Sequence, residues 1–406
     1  MPSPAPDGER APSDGLLPAS AASGAEGRNL GLYIHVPFCA VRCGYCDFNT
    51  YTAQELDGVS QASYPAQAMA EMAFAKHALD DSGVPPRALS TVFLGGGTPT
   101  LLGPEPLAAM LQHARDTFGF EDDAEVTVEA NPDSVSARDF QALADAGVTR
   151  VSLGVQSSDP LVLGTLDRTH DPKRVPPVVQ WARDAGIQIS IDLIYGTPGE
   201  TVESWRATLQ SAVELEPDHI SAYALIVEKG TALAGRISRG QLPMPDDDLQ
   251  AEMYTAADEL LEQAGYAWYE ISNWARTPDH QSRHNTSYWT SEDWWGIGPG
   301  AHSHVGGVRW WNVKHPSAYA ARIGEGVSPA QAREVLSDAT SQMERVLLGI
   351  RLRHGVAVTD IAPGHQAQLA EWVSRGVLEG RELLAGRVVP TLQGRLVADF
   401  LARELT

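Results

Sequence analysis

A chain of 406 residues has room for one large domain and a smaller one, and 43% hydrophobic with 20% charged residues is the balance of a soluble globular protein. The formal charge of −22 argues against nucleic acid and anionic membrane surfaces as partners, because both are met by a basic face. No run approaches the roughly 18 to 20 consecutive apolar residues that span a bilayer.

The first 29 residues, "MPSPAPDGERAPSDGLLPASAASGAEGRN", are rich in Pro, Ser, Ala and Gly. They lack the basic start and apolar run of a secretory signal, so a disordered leader is expected over 1–29. From residue 30 to about 230 short apolar or β-branched runs recur: "LYIHVPF", "STVFLGG", "EVTVEAN", "RVSLGVQ", "IQISIDLIYG" and "HISAYALIV". Between them lie segments with helical spacing, such as "PEPLAAMLQHARDTFG", "ARDFQALADAG" and "ESWRATLQSAVELE". Strand and helix in alternation predict an α/β fold with parallel strands and right-handed crossovers. Six units without a seventh suggest a partial (βα)6, TIM-like barrel, and a doubly wound open sheet is the other arrangement with this pattern.

In both architectures chemistry gathers at the C-terminal strand ends. Polar and Gly-rich residues stand there: Cys39 to Cys46, "GGGTPT", Glu129 and Asn131, Gln156, then Asp192 and "YGTPGET". Over 231–330 the rhythm gives way to an aromatic and histidine-rich α+β region. Seven of the ten tryptophans fall between residues 268 and 311, with His280, His284, His302 and His304 among them. Residues 331–406 read as a small helical unit, where helix, short hairpin and helix suggest a winged-helix-like arrangement. Without a basic surface, a packing or protein-contact role is expected of it.

All three cysteines, Cys39, Cys43 and Cys46, lie in "YIHVPFCAVRCGYCDFNTY". Three thiols cannot all pair, and their clustering points to metal chemistry in a reducing, cytoplasmic setting. Structural zinc would need His35 as a fourth ligand, and a redox dithiol would leave Cys39 unexplained. A four-iron, four-sulfur cluster fits better: three thiolates hold three irons, and the fourth iron stays open to an external molecule.

The C-x3-C-x2-C spacing, with Tyr45 before the last cysteine, resembles the signature of the radical S-adenosylmethionine superfamily. There the open iron binds S-adenosylmethionine and reductive cleavage follows, on a partial (βα)6 scaffold. Over the wider chain, "YIHVPFC", "GGGTPT", "VEANP", "RVSLGVQS", "LDRTH", "IDLIYGTPGET" and "ISAYAL" resemble, in that order, the oxygen-independent coproporphyrinogen III oxidase family. The resemblance implies that Tyr33, Tyr45, Gly96, Gly97, Thr98 and Glu129 attend the cluster and S-adenosylmethionine. It implies further that Gln156, Arg168, Asp192 and Ala224 line the barrel mouth. Each has a plainer role as well: a turn glycine, a solvated strand-end carboxylate, a helix-surface arginine. His35 reads equally as a satisfied strand-end histidine or as a proton partner and catalytic candidate.

Coproporphyrinogen oxidases extend the motif to a fourth cysteine, where this sequence has Phe48 in "CGYCDFN". That departure, with "HNTSYW" at His284 to Trp289, resembles the HemW-type haem chaperones, also radical S-adenosylmethionine proteins. The resemblance implies a protein that binds haem and passes it to acceptor haemoproteins, with an electron donor as a further partner and His284 as the candidate haem ligand, His302 and His304 standing behind it. Clustered tryptophans and histidines supply aromatic walls and imidazoles, as a porphyrin iron requires. "GIGPGAHS" reads as a turn that brings backbone close to a ligand. The alternative is a coproporphyrinogen dehydrogenase forming protoporphyrinogen IX by radical hydrogen abstraction.

Overall fold

In the computed structural model the described residues are 7–52, 55–56 and 59–406. The strands in chain order begin with β1 (Glu9–Arg10), β2 (Leu30–Val36), β3 (Glu55–Leu56), β4 (Val59–Ser60) and β5 (Leu89–Gly96). They continue with β6 (Phe120–Ala130), β7 (Arg150–Gln156), β8 (Gln188–Tyr195) and β9 (His219–Ala224). After these come β10 (Ala267–Glu270), β11 (Asn273–Ala275), β12 (Asp293–Ile297), β13 (His302–Val305), β14 (Val308–Asn312) and β15 (Ala330–Val335). A 13-stranded sheet runs in the order β1-β15-β14-β13-β12-β2-β5-β6-β7-β8-β9-β11-β10.

At its centre β2, β5, β6, β7, β8 and β9 are all parallel and lie side by side in chain order. A doubly wound sheet reverses its order part-way. Here the order never turns back, which is the partial-barrel arrangement. The strand alternation shows why: Leu32, Ile34, Val92, Leu94, Val126, Val128, Ile189 and Ile191 are buried on one face, where they share the main apolar core with helix residues. Those helices include α1 (Tyr64–Asp81), α2 (Pro104–Phe118), α3 (Ala137–Asp145), α4 (Pro160–Thr165), α5 (Val175–Asp184) and α6 (Val202–Glu214). α3 starts on a reciprocal capping box between Ser136 and Asp139, worth about 1 kcal/mol. The residues at alternate strand positions are polar, and they face the barrel interior.

The interval 231–330 joins this sheet rather than standing apart from it. After α7 (Ala232–Ser238) and α8 (Asp247–Gln263), the β10–β11 pair extends the β9 edge. Following α9 (Arg283–Trp289), β12 adds in parallel to β2, and β13, β14 and β15 continue as an antiparallel meander. An exposed strand edge is a pairing surface, and both barrel edges are covered in this way.

The expected disorder of 1–29 is corrected for residues 7–29; residues 1–6 lie outside the described set. β1 pairs with β15, and Ala21 and Ala25 are buried in the core. Small apolar side chains, read as low complexity, here fit against a close-packed surface. Arg28 and Arg87 both donate to the fully buried carboxylate of Asp293, at 3.0 and 2.8 Å, which ties the segment to β12.

Beyond α10 (Pro316–Gly324), the C-terminal unit has its own apolar core around Val346, Ile350, Leu369, Trp372 and Leu401. It is built from α11 (Asp338–Gly349), β16 (Val356–Ala357), α12 (Gln366–Ser374), α13 (Gly380–Leu384), β17 (Arg387–Val388), α14 (Leu392–Leu396) and α15 (Ala398–Leu405). Its two strands pair across two helices, not as the local hairpin expected. Arg395 docks the unit by pairing with Asp258 and lying 4.2 Å over the Trp268 ring. Among the described residues no helix is long and apolar enough to cross a membrane.

Glu71 of α1 is the buried carboxylate under the meander. Tyr319 donates to it at 2.5 Å, and the Gly298 N–H and Asn312 amide each donate at 2.7 Å. Burial pushes its pKa up to about 7, against the lowering effect of those donors. The folded protein therefore keeps a proton that the unfolded chain releases above about pH 4.5, so this contribution to stability is lost as pH rises towards 7. The loss is on the order of 3 kcal/mol. Urea unfolding between pH 5 and 7.5 should show this decline, and Glu71→Gln should flatten it; parallel profiles for the two proteins would refute the assignment.

Candidate functional site

The three cysteines sit on the loop that leaves the C-terminal end of β2. That loop is fixed by backbone hydrogen bonds: Cys39 N–H to Tyr51 at 2.9 Å, Tyr51 N–H to Pro37 at 2.7 Å, and Gly44 N–H to Leu166 at 3.0 Å. On its other side Gly97 and Thr98 donate to Val36 and Phe38, each at 2.8 Å. All three thiols are free, partly exposed, and line one cavity of about 470 Å³. Burial, then the neighbouring Cys46, pushes the Cys39 thiol up to about 11, while Thr50 and Thr98 hydroxyls lower it. Burial raises Cys46 too. Such thiols stay protonated at neutral pH until a metal displaces the protons.

Among the described residues no three His, Cys, Asp or Glu side chains gather about one point as a single ion requires. Three free thiols lining one cavity supply ligands to three of a cluster's four irons and leave one open, whereas a structural zinc site wants four protein ligands. Buried polar atoms without partners also line this cavity, among them Thr127 Oγ1, Arg150 Nε and Arg168 Nε. An unpaired buried donor is costly, and a polar ligand in the cavity would relieve it.

Of the residues singled out in the sequence, Tyr45, Gly96, Gly97, Thr98, Glu129, Gln156, Arg168, Asp192 and Ala224 all line this cavity with the cysteines. Arg168 reaches Cys43 Sγ at 3.5 Å and Asn131 Oδ1 at 2.8 Å, and also donates to the Gly154 carbonyl. It is thus no free helix-surface arginine. Glu129 accepts the Gly96 N–H at 3.0 Å; burial and the nearby Asp192 push its pKa up to about 7. Asp192 accepts from Ser152 at 2.7 Å and is likewise raised by burial. Gln156 has φ of 64°, a left-handed backbone unusual for a residue with a side chain, at an irregularity in the β7–β8 register. Tyr45 packs beside Leu166, Ile194, Leu225 and Leu233.

Tyr33 and His35 do not line the cavity. The Tyr33 hydroxyl bonds His35 Nδ1 at 3.0 Å, and His35 Nε2 lies 2.9 Å from the Asn49 carbonyl. A carbonyl only accepts, so Nε2 carries the proton and Nδ1 takes the one from Tyr33. Both ring nitrogens are satisfied, and burial keeps the ring neutral by lowering its pKa.

His284, on α9, is 1% exposed and lies outside the cavity wall. Nδ1 is 2.8 Å from Thr91 Oγ1 and Nε2 is 2.7 Å from the Tyr288 hydroxyl, with the ring stacked on Phe93 at 5.1 Å. Burial drives its pKa down to about 3. In this structure it offers no nitrogen to an iron, contrary to the expectation carried by "HNTSYW". In "GIGPGAHS", Gly298 approaches the His35 backbone and Gly300 the Asn49 side chain, so the turn abuts the cysteine loop.

The cavity floor was missed in the sequence. Arg150, Ser152, Ser190, His219, Ser221 and Tyr223 line it, and Arg150 pairs with Glu125 at 3.3 Å. Their signal was polar residues at alternate positions of otherwise apolar strands, as in Ser190 and Asp192 or His219 and Ser221.

Residues 33–212 match the Radical SAM superfamily. The chain is 46% identical over 380 residues to "Heme chaperone HemW" of Mycobacterium tuberculosis (strain H37Rv), covering 93% of this chain and 95% of that one. It is 33% identical to "Heme chaperone HemW" of Bacillus subtilis (strain 168), covering 90% and 96%. It is also 39% identical to the bovine "Radical S-adenosyl methionine domain-containing protein 1, mitochondrial", over 70% of this chain and 62% of that one. Coproporphyrinogen III oxidase (HemN) from Escherichia coli shares the fold, with a TM-score of 0.79 at 22% identity over 96% of this chain and 94% of the other. Residues 33–212 thus carry a radical S-adenosylmethionine domain, on a fold shared with that oxidase. Within that class, the near full-length identity shows that the chain belongs to the HemW family.

The loop and the glycine strand end are mutually dependent. A Cβ on Gly97 would stand 2.3 Å from the Phe38 carbonyl oxygen, a backbone atom that cannot swing away. Gly97→Ala should therefore displace the cysteine loop and lower iron and sulfide per chain several-fold after anaerobic reconstitution. Gly164→Ala, whose Cβ meets nothing within 4 Å, should leave both unchanged. Equal iron loading in the two variants would refute the dependence.

Proposed function

We propose that this chain is a cytoplasmic haem-handling protein that binds haem and transfers it to acceptor haemoproteins. It carries a four-iron, four-sulfur cluster and an exchangeable S-adenosylmethionine. The observation that carries this reading is the 46% identity to a haem chaperone across 93% of the chain. A cluster in this loop supplies one-electron reduction to S-adenosylmethionine at its open iron, with an electron donor as the further partner.

The protein's own groups have definite parts in this reading. Cys39, Cys43 and Cys46 hold the cluster, and the Arg168 guanidinium beside Cys43 offsets thiolate charge. Glu129 and Asp192 accept hydrogen bonds from the polar groups of S-adenosylmethionine, and Gln156 and Ala224 complete the mouth. Phe48 takes the position of a fourth cysteine, on the cavity rim with 59% of its surface exposed. It adds no thiol there, which favours the chaperone over the dehydrogenase.

The test is anaerobic. Reconstituted protein with S-adenosylmethionine, a strong reductant and coproporphyrinogen III should yield no protoporphyrinogen IX, while the same preparation should bind hemin and load an apo-haemoprotein. Product over many turnovers would overturn the chaperone reading. Cys43→Ser should lose most of the iron and sulfide; contents equal to wild type would overturn the cluster assignment.

A further inference from the structure

A protein that handles haem needs a site for a wide, flat, largely apolar ring with two carboxylates and an iron. The cysteine cavity is a poor host. Its roughly 470 Å³ must already take the cluster and S-adenosylmethionine. His284 is closed off, with both nitrogens engaged.

A second cavity, of about 520 Å³, lies where the β12–β14 meander meets the C-terminal unit. Building on the haem-handling role proposed above, we propose that this cleft binds haem, with His304 of β13 as the axial iron ligand.

The imidazole is prepared for that role by its outer partner. His304 Nδ1 lies 2.8 Å from the Glu292 carbonyl, which only accepts, so Nδ1 carries the proton and Nε2 keeps its lone pair. Nε2 has no hydrogen bond to any described residue, and it is absent from the sealed, unpaired atoms of the core. A backbone carbonyl holding the far N–H is the usual device that fixes the orientation of a ligating histidine. The ring is held in place against Trp294, centroid to centroid 5.1 Å. Burial also lowers its pKa, which keeps the neutral form that binds metal.

The walls suit the ligand as well. Trp289, the last residue of "HNTSYW", contributes an aromatic face, and Leu336, Leu352 and Val356 add apolar surface. Arg345 and Arg387 line the same cleft beside Glu344 and Asp360, and their guanidiniums are the cations for two propionates; Arg387 also donates to the His354 and Gly355 carbonyls. The Arg345 side chain is 61% exposed, and its one ion pair among the described residues is a loose one, 3.8 Å to Asp360. His354 brings a second imidazole to the cleft from the C-terminal unit.

The experiment is a hemin titration of the purified full chain, followed by absorption and magnetic circular dichroism. Wild type should bind about one hemin per chain with a histidine-ligated spectrum. His304→Gln should weaken binding about tenfold or more and change the axial-ligand signature. Ser341→Trp, which fills the cleft from α11, should weaken binding comparably with circular dichroism and Tm preserved, and it decides the matter should His304→Gln misfold. Wild-type affinity and spectrum in both folded variants would overturn the location while leaving haem handling intact. Failure of wild type to bind hemin would overturn the haem-handling reading itself.

Discussion

A largely buried hydrogen-bond chain ties the cysteine loop to strand β2 and to the meander turn, beside the backbone bonds that fix the loop itself. It runs from the Tyr33 hydroxyl through His35 to the Asn49 carbonyl, and the Asn49 amide continues it to the Pro299 and Lys314 carbonyls at 2.9 and 2.8 Å. Strand β2, the cysteine loop and the meander turn are thereby one unit. Gly298 follows from this, because a Cβ there would stand 2.6 Å from the His35 carbonyl oxygen. Its φ of 105° is also one that a side-chain-bearing residue avoids. A loop whose three thiols must meet one cofactor cannot be left to wander, and satisfied buried polar groups give rigidity that apolar packing alone does not.

The barrel's interior is as unusual as its loop. Its inward positions are filled with Thr127, Glu129, Ser152, Asp192, Ser221 and Tyr223, where a closed eight-stranded barrel would have layered aliphatics. Such a polar interior would collapse or flood if open at both ends. Helix α9 closes it at the N-terminal strand ends, with the Arg283 and His284 N–H groups donating to the Glu125 carboxylate at 2.9 and 3.1 Å. His284 then bonds Thr91, and Glu125 pairs with Arg150. The segment "HNTSYW" is thus a plug that makes the cavity blind, and blindness is what lets burial raise Glu129 and Asp192 as it does.

The α/β class and the six parallel strands were legible because both faces of each strand carry their own signal: aliphatics outward and chemistry inward, with period two. The cysteine loop was legible because thiols are rare and their spacing is rigidly constrained by the cofactor. Order in residues 7–29 was not legible. Ala21 and Ala25 are too small to announce burial, and their partners lie hundreds of residues away in the sequence, as Glu9 and Arg333 do. The merging of 231–330 with the sheet was hidden for a like reason: strand partners at the barrel edges are set by tertiary contact and not by local pattern.

The histidines teach the sharpest distinction. In the sequence the motif "HNTSYW" puts His284 first among the candidate haem ligands, with His302 and His304 behind it. In the fold His35, His219 and His284 each have both nitrogens within hydrogen-bonding distance of a partner, so each serves as a structural bridge. His304 has one nitrogen held and the other free toward a cleft. Availability of a lone pair, and not proximity to a motif, separates a ligand from a core histidine. On the assignments proposed above the two irons would lie apart: the cluster's at the thiol loop on the C-terminal strand ends, the porphyrin's at the seam between the meander and the C-terminal unit. An acceptor protein would then need access only to that seam, and the thiol cavity would not have to open to pass haem on.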